Sequence, residues 1–432
     1  MDKKNRIDTE HTKENTHEIP QEEYCFIKEV IKEKPLDIRG MVFRGIMIII
    51  GAVIFGIVAA LVFVHILPMV NDTLSEEEMV VFQEEDSLTE YEPTPTENPM
   101  EQEEDETLDD EKDTYEELYW KMNQVAQDAL YSIVTVNGIK HEEDWFHADT
   151  QSIKKSTGVI VANTNQEYYI LTDYRAVEDV DRIMLTFQDG SMADGRYKMH
   201  DTNTGMTVLT VQEEDIPDSC EEDLKVATFG NSYLVKQGQA VVAIGSPMGY
   251  SNSVVYGQVT SISSTVSAYD VQYNIFITDM LGSADGSGVL IDLNGNVIGV
   301  IAQCFSDEEH KNVITCLPIS QLKSVVSALS NSGEIPYIGI KGQNVTAEIS
   351  KQTGIPKGIY VNEVRRDSPA LLAGIQTADI VTELQGTAVE NMYQYSEKLF
   401  KCTPGEVVDI TIMRKGTEGY VEFKFQATVT NR

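Results

Sequence analysis

TDMLGSADGSGVLI, the stretch at residues 278–291, consists of two short runs with apolar residues on either side of a loop of small and acidic residues. The turn Leu293-Asn294-Gly295-Asn296 follows it, and Asn-Gly between apolar runs is a strong signal for a β-hairpin. Short runs rich in Val, Ile, Tyr and Thr recur along this part of the chain, which predicts a mainly β domain. These runs lie at residues 132–136, 157–162, 168–172, 183–187, 207–211, 240–244, 274–277, 289–291 and 297–302.

Several motifs occur around this loop in a fixed order. They are STGVIV at 156–161, ILTDYRAV at 170–177, AIGSPMG at 243–249, ITD at 277–279 and DLNGNVIG at 292–299. Together they make residues 118–332 resemble the HtrA (DegP-like) branch of the trypsin-like serine proteases. The resemblance implies a trypsin-like double β-barrel with the active cleft between the barrels.

The positions that would carry catalysis depart from this family. The resemblance places Arg175 at the family's histidine, Gly205 at its aspartate and Gly286 at its nucleophilic serine. A guanidinium stays protonated, with a pKa above about 12, and cannot take a proton from a hydroxyl. Glycine has no side chain that could orient a base or attack a carbonyl. The sequence therefore predicts that all three triad positions are substituted and that the chain is a pseudoprotease.

Ser287 is the serine nearest to the nucleophile position. A slip of one residue beside a strand turns a side chain to the opposite face, and an unassisted hydroxyl is a weak nucleophile. A divergent serine endopeptidase that uses Ser287 with an unconventional base stays open as an alternative. The oxyanion hole would be formed by the backbone N–H groups of Ala284 and Gly286. The histidines in or near this region match no family motif, and they are His141, His147, His200 and His310.

The C-terminal part of the chain carries a second set of motifs. They are YIGI at 337–340, GIYV at 358–361 and DSPALLAGI at 367–375. They make residues 333–432 resemble an α+β PDZ domain of the HtrA type. The resemblance implies that polypeptide or protein C-termini bind by strand addition, with a loop of backbone N–H groups around the terminal carboxylate.

The peptide-binding loop of this domain is predicted at Tyr337, Ile338, Gly339 and Ile340. A helix from about residue 391 to residue 400 would wall the groove. Met392, Tyr395 and Leu399 share one face of this helix, at i, i+3 and i+7. That face either lines the groove or belongs to the core of the domain.

The N-terminal part contains one long apolar segment. Residues 45–64 are uncharged, and at about 1.5 Å per residue they span about 30 Å of hydrocarbon, which predicts a transmembrane helix at 45–67. Lys and Arg precede this segment and acidic residues follow it, so residues 1–44 are expected in the cytoplasm and both folded domains outside. Residues 68–117, rich in Glu, Asp and Pro, are predicted to be a disordered linker.

Charge and cysteine content limit the function further. The formal net charge of −37 argues against nucleic-acid binding, which requires a basic surface. The absence of CxxC pairs predicts no zinc site, and no cofactor is expected. The pairing of the four cysteines outside the predicted cytoplasmic tail stays open, and these are Cys220, Cys304, Cys316 and Cys402.

The leading hypothesis is a single-pass membrane protein with an inactive protease fold. It would bind exported or envelope polypeptides through the PDZ groove and the protease-like cleft, as a quality-control or regulatory adaptor. The remaining alternative is an oligomeric envelope scaffold, for example the homotrimer that the family resemblance suggests.

Overall fold

A closed barrel of six antiparallel strands opens the folded part of the computed structural model, which describes residues 47, 79–83, 110–143, 149–221 and 223–432. The strands follow one another around the barrel in the order β1-β2-β3-β6-β5-β4, and β4 closes onto β1. The six strands are β1 Ile133–Glu143, β2 Asp149–Thr164, β3 Glu167–Asp173, β4 Arg182–Thr186, β5 Met192–His200 and β6 Met206–Gln212.

A second closed barrel of six strands follows, in the order β10-β11-β12-β9-β8-β7. The turn predicted at residues 293–296 joins β10 to β11, with Gly295 in the left-handed region at φ 84°. The predicted double barrel is confirmed. The strands are β7 Ala240–Ser246, β8 Ser253–Ala268, β9 Val271–Leu281, β10 Ser287–Ile291, β11 Val297–Ile301 and β12 Val313–Pro318.

One apolar cluster is shared by the two barrels. Val159 and Val208 of the first barrel pack in it with Ile244, Val289 and Ile291 of the second, and each is at most 2% exposed. Full burial of such a side chain stabilises a fold by about 1.5–3 kcal/mol. This packing holds the middle of β2 beside the start of β10, where the two barrels meet.

Three helices accompany the barrels: α1 Asp110–Ala129 before β1, α2 Asp218–Glu221 after β6, and α3 Lys323–Ser330 after β12. Met122 and Ala126 of α1 are buried in the shared apolar cluster. Helix α1 thus begins inside the segment that the composition assigns to a linker.

Residues 79–83 also fall within the predicted linker, and the structure places them on the fold. Val80 is 4% exposed, donates its N–H to the Asn331 side chain at 2.9 Å and accepts the Asn331 amide at 2.7 Å. Phe82 stacks on Phe229, with 4.9 Å between the ring centroids. The prediction of a disordered linker is therefore wrong for these five residues, because their apolar side chains find buried partners that an acidic average composition conceals.

The C-terminal domain is built on an antiparallel sheet in the order β14-β15-β16-β18-β19, with β17 added at β16 and a separate β13-β20 pair. The expected PDZ fold is confirmed. Together with the barrels it belongs to one compact unit, Glu77–Arg432. Its strands are β13 Pro336–Tyr337, β14 Ile340–Val345, β15 Gly358–Val364, β16 Ile380–Leu384, β17 Thr387–Ala388, β18 Val407–Lys415, β19 Tyr420–Thr428 and β20 Thr430–Asn431, and its helices are α4 Ala347–Thr353, α5 Pro369–Ala373 and α6 Met392–Leu399.

The segment predicted to cross a membrane, residues 45–67, lies outside the described residues except for Met47. Among the residues that are described, no helix has the length and apolar character that a membrane span needs.

Candidate functional site

Arg175 lies in a single 3-10 turn, Tyr174–Ala176, directly after β3. The Asp173 carboxylate accepts the Arg175 backbone N–H at 2.8 Å and its guanidinium at 2.6 Å between Nη2 and Oδ2. The hydrogen bonds that the guanidinium donates to Asp173 raise the pKa of Arg175 above its ordinary value. The side chain at the position predicted to match the family's histidine is therefore a cation, and it cannot act as a general base.

Gly205 occupies a tight turn before β6, with φ 69°. Its carbonyl oxygen accepts the Tyr174 N–H at 2.8 Å, and its own N–H donates to the Asp201 carbonyl oxygen at 2.9 Å. No atom lies within 4 Å of where a Cβ would stand. The position predicted to match the family's aspartate is thus an open turn that supplies backbone contacts and no carboxylate.

Gly286 lies in the loop between β9 and β10, which folds as a hydrogen-bonded turn. The Gly286 N–H donates to the Ser283 carbonyl oxygen at 2.8 Å, and the Ser283 N–H donates to the Pro247 carbonyl oxygen at 3.0 Å. A Cβ on Gly286 would collide with the Pro247 carbonyl oxygen. The nucleophile position therefore has no room for a side chain in this backbone conformation.

The predicted oxyanion hole is not formed at Gly286. Its N–H is satisfied by Ser283 inside the turn, whereas an oxyanion hole requires a donor that points at the substrate. Ala284, the second predicted donor, lies in the same turn and does not adopt a left-handed backbone.

Ser287 is the first residue of β10 and is 7% exposed. Its Oγ accepts the Thr157 backbone N–H at 2.9 Å and donates to the Thr157 Oγ1 at 3.2 Å. Thr157 belongs to β2, so this contact joins the two barrels. The hydroxyl is committed to a structural hydrogen bond, and its partner is 130 positions away in the sequence, which no local motif reveals.

The histidines near the barrels have partners other than Ser287. The His200 ring stacks on Tyr174 at 3.9 Å between centroids and shares a hydrogen bond of 2.7 Å with the Tyr197 hydroxyl. His141 lies 3.4 Å from Asp181, and His310 lies 2.6 Å from Asp307. The fourth histidine, at position 147, lies outside the described residues.

The cleft beside Ser287 is a cavity of about 310 Å³ with charged walls. Lys154, Lys155 and Arg175 face it together with Asp173 and Asp285. Asp285 contributes to the field around the Arg175 guanidinium, but the hydrogen-bonded partner of that guanidinium is Asp173. The cleft has room for a polar peptide segment. It presents no nucleophile that is hydrogen-bonded to a general base.

The four cysteines of the described chain are all free thiols: Cys220, Cys304, Cys316 and Cys402. Cys304 lines a pocket that also contains Ser287. Burial raises the pKa of the Cys304 thiol, while the Arg175 charge acts in the opposite direction. A thiol with a raised pKa is a poor nucleophile at neutral pH. Among the described residues, no group of three or more His, Cys, Asp or Glu could hold a metal ion.

The loop predicted to capture a carboxylate surrounds the side chain of Asp270. The N–H groups of Ile338 and Gly339 donate to Asp270 Oδ2 at 2.8 Å and 2.6 Å, and that of Ile340 donates to Oδ1 at 3.1 Å. Burial raises the pKa of Asp270, and the three N–H groups oppose this shift. The sequence motif predicts the loop but not its partner, which comes from the second barrel.

Gly339 is required at the centre of this loop. Its φ is 94°, and a Cβ there would stand 2.5 Å from the Ser368 Cβ and 2.6 Å from the Tyr337 hydroxyl. Only a residue without a side chain can bring the three N–H groups to one point here. The loop is thus a preformed site for an oxygen anion.

The helix predicted at residues 391–400 is α6, and its three predicted residues are buried in the PDZ core. Met392 and Tyr395 are fully buried, and Leu399 is 1% exposed. Tyr395 has a second role, because its hydroxyl donates to Asp270 Oδ1 at 3.0 Å. The face is therefore core, with one polar group directed at the carboxylate loop.

Two family models match the chain in consecutive order: the trypsin-like peptidase domain at residues 156–300 and the PDZ domain at residues 336–424. The Serine protease Do-like HtrA of Bacillus subtilis (strain 168) is 28% identical over 289 residues, which cover 62% of this chain and 63% of that protein. A probable periplasmic serine endoprotease, DegP-like, of Halomonas elongata is 29% identical over 258 residues, covering 58% and 52%. The chain thus spans between 52% and 63% of the length of these relatives.

Solved structures share the same architecture. The HtrA-type protease AlgW with a decapeptide has a TM-score of 0.55 at 18% identity, covering 72% of this chain and 98% of that chain. The same protease with a tripeptide has a TM-score of 0.54 at 20% identity, covering 72% and 97%. Domain order, barrel topology and these relatives together identify the chain as an HtrA-like protein, in which a trypsin-like peptidase domain is followed by a PDZ domain.

Proposed function

We propose that this protein is a membrane-anchored HtrA-like pseudoprotease, which binds the C-termini of exported or envelope polypeptides without cleaving them. The observation that carries the proposal is the closed nucleophile loop. Gly286 stands where the family has serine, and its N–H donates to Ser283 within its own turn.

The chemistry of acyl transfer needs a nucleophile, a base and an oxyanion hole, and each is compromised in this cleft. Arg175 is a cation, Gly205 has no carboxylate, and the Ser287 hydroxyl is bonded to Thr157. Removing triad members from a serine protease lowers the catalytic rate on the order of a millionfold. These substitutions support a role in binding over a role in cleavage.

Peptide binding is supported by the carboxylate loop of the PDZ domain. Three backbone N–H groups and the Tyr395 hydroxyl converge on one carboxylate, which is the arrangement that a peptide C-terminus requires. AlgW, which shares the fold, was solved with a decapeptide and with a tripeptide.

Membrane anchoring is supported by the apolar segment at 45–64 and by the basic residues that precede it. In this arrangement both folded domains face the outside of the cytoplasmic membrane, where exported polypeptides pass.

The test uses the full chain in detergent micelles with a fluorophosphonate probe and, in parallel, with β-casein. We expect neither covalent labelling nor cleavage. The matched control is Ser287→Ala, which should show the same absence of labelling and of cleavage as the unmodified protein. Labelling that is present in the unmodified protein and lost in Ser287→Ala would overturn the proposal and establish the divergent endopeptidase instead.

A further inference from the structure

Asp270 lies at the tip of a tight hairpin in the second barrel. Strands β8 and β9 pair Ala268 with Val271, so Tyr269 and Asp270 alone form the turn. Asp270 has φ 64° and is only 3% exposed. A carboxylate at the tip of a hairpin is ordinarily solvated, and its burial requires partners of comparable strength.

The partners of this carboxylate are the donors of the PDZ loop. Ile338, Gly339 and Ile340 donate their backbone N–H groups, and Tyr395 donates its hydroxyl. Four donors on one carboxylate match the hydrogen bonds that a bound peptide's terminal carboxylate would receive. The loop is therefore filled by a group of the same chemistry as its expected ligand.

The backbone of Asp270 also binds the loop as the backbone of a peptide's last residue would. Its N–H donates to the Ile340 carbonyl oxygen at 2.7 Å. Ile340 begins β14, the strand whose edge a peptide would join by strand addition. Asp270 thus offers a carboxylate and an N–H to the same residues that the last residue of a peptide would use.

Contacts on both sides of the turn hold the hairpin against the PDZ sheet. The Ser267 hydroxyl donates to the Gly342 carbonyl oxygen at 3.1 Å, and the Tyr269 hydroxyl donates to Glu363 at 2.7 Å. Further along β9, Gln272 accepts the side-chain amide of Asn344 at 3.1 Å. These contacts lie along β14 and β15, so the hairpin occupies the edge of the groove as well as the loop.

We propose that the Tyr269-Asp270 turn is an internal ligand of the PDZ carboxylate loop, and that a peptide C-terminus binds by displacing it. The peptide half of this inference rests on the proposed function. One set of N–H groups cannot serve two carboxylates, so each binding event separates the hairpin of the second barrel from the PDZ domain. The loop then also recognises a second class of ligand, an aspartate presented by a tight β-turn.

The first test measures competition on the full chain in detergent. The probe is a pool of fluorescein-labelled decapeptides with three randomised final residues and a free carboxylate, compared with the same pool amidated at its C-terminus. Removing the internal competitor with Asp270→Ala should tighten binding of the carboxylate pool about tenfold, because a larger fraction of the loop is open. The matched control is Asp409→Ala, which removes an exposed carboxylate from β18 of the same domain and should leave the affinity unchanged.

A second measurement follows the contact itself and needs no ligand. Hydrogen exchange of the Ile338, Gly339 and Ile340 amides should be slow in the unmodified protein and at least about tenfold faster in Asp270→Ala. Unchanged exchange together with unchanged peptide affinity would overturn the internal ligand. Faster exchange without any peptide binding would leave the internal contact standing and would instead contradict the proposed function.

A third measurement supplies the hairpin turn of residues 269–270 as a separate peptide. A cyclic peptide that reproduces residues 264–275 should bind Asp270→Ala but not the unmodified protein, and its twin with alanine in place of aspartate should bind neither. Failure of the cyclic peptide on a variant that binds the decapeptides would overturn the inference. If Asp270→Ala does not fold, Tyr269→Phe removes the hydrogen bond of the hairpin to Glu363 while keeping the ring and all four donors of the loop, and an increase of about threefold in peptide affinity is then expected; an affinity and amide exchange unchanged in Tyr269→Phe would overturn the inference.

Discussion

The loop at Gly286 and the PDZ loop at residues 337–340 are both predicted to present backbone N–H groups to an oxygen anion, and they have opposite states in this molecule. At Gly286 the donor is turned inward and bonded to Ser283, three residues earlier in the chain. At Ile338, Gly339 and Ile340 the donors keep their outward geometry and hold a carboxylate from another domain. The first site is closed by its own backbone, and the second is closed by a removable side chain.

The two closures differ in whether they can be reversed. A donor satisfied within its own turn becomes available only if the backbone of the loop changes conformation. A donor satisfied by Asp270 becomes available when two preformed surfaces separate, and its geometry is unchanged afterwards. In this structure the protease-like cleft presents no open N–H group at Gly286, whereas the donors of the PDZ loop keep their geometry around Asp270.

The largest effect is expected when the preformed loop is destroyed. Gly339→Ala places a Cβ 2.5 Å from Ser368 Cβ on a backbone at φ 94°, which should cost about 2 kcal/mol of stability and lower peptide affinity about a hundredfold. Chemical denaturation and fluorescence anisotropy measure the two effects.

The control for this variant is Gly386→Ala. Gly386 is also left-handed, at φ 68°, but no atom lies within 4 Å of its missing Cβ. It should lose only about 1 kcal/mol of stability and keep its peptide affinity. Equal affinities in the two variants would contradict the assignment of Gly339 to the carboxylate loop.

The next effect concerns the closed site. Gly286→Ser should lower stability by about 1–3 kcal/mol, because the new Cβ meets the Pro247 carbonyl oxygen. We expect no fluorophosphonate labelling, even when Arg175→His and Gly205→Asp are added. Labelling of the triple variant would show that the loop opens readily and would remove the contrast between the two sites.

Ser287→Ala tests whether the neighbouring serine is structural. Its loss leaves the buried Thr157 N–H without its acceptor, which should lower the free energy of unfolding by about 1–3 kcal/mol. β-Casein incubated with the variant should stay uncleaved, as with the unmodified protein. The exposed Ser251→Ala is the matched control and should be neutral. A neutral Ser287→Ala would mean that the hydroxyl does not join the barrels.

The smallest effect is expected for Arg175→Gln. The ion pair with Asp173 is partly exposed, with 53% of the arginine side chain accessible, so its loss should change stability by at most about 1 kcal/mol. Thermal unfolding in low and high salt measures this. A larger loss would show that the cation holds the cleft together and is more than a substituted triad residue.

The parts of the fold that local sequence signals specify could be predicted from the sequence. The turn at residues 293–296, the helix α6 and the YIGI loop at 337–340 depend on residues close together in the chain. The double barrel could be predicted only through the resemblance of residues 118–332 to a known family. The assignment of Arg175, Gly205 and Gly286 to the triad positions rests on flanking residues that keep the family pattern, and it stays a prediction.

Other features depend on contacts between distant residues, and no periodicity encodes them. Asp270 contacts Ile338, which is 68 positions away in the sequence, and Val80 contacts Asn331, which is 251 positions away. The acidic composition of residues 68–117 also conceals a short apolar segment that binds to the fold. The inward donor of Gly286 depends on the Pro247 and Ser283 carbonyl groups, whose directions only the folded backbone defines.

The attachment of residues 79–83 has a mechanical consequence. Val80 is bonded through its backbone to Asn331 and Ser327, and Asn331 is the first residue of the connector between α3 and the PDZ domain. A pulling force applied N-terminal to Met79 is therefore expected to load the Val80 contacts with Asn331 and Ser327 before it loads the strands of either barrel. Tension on the N-terminal segment enters the fold at the end of α3, beside the connector to the PDZ domain.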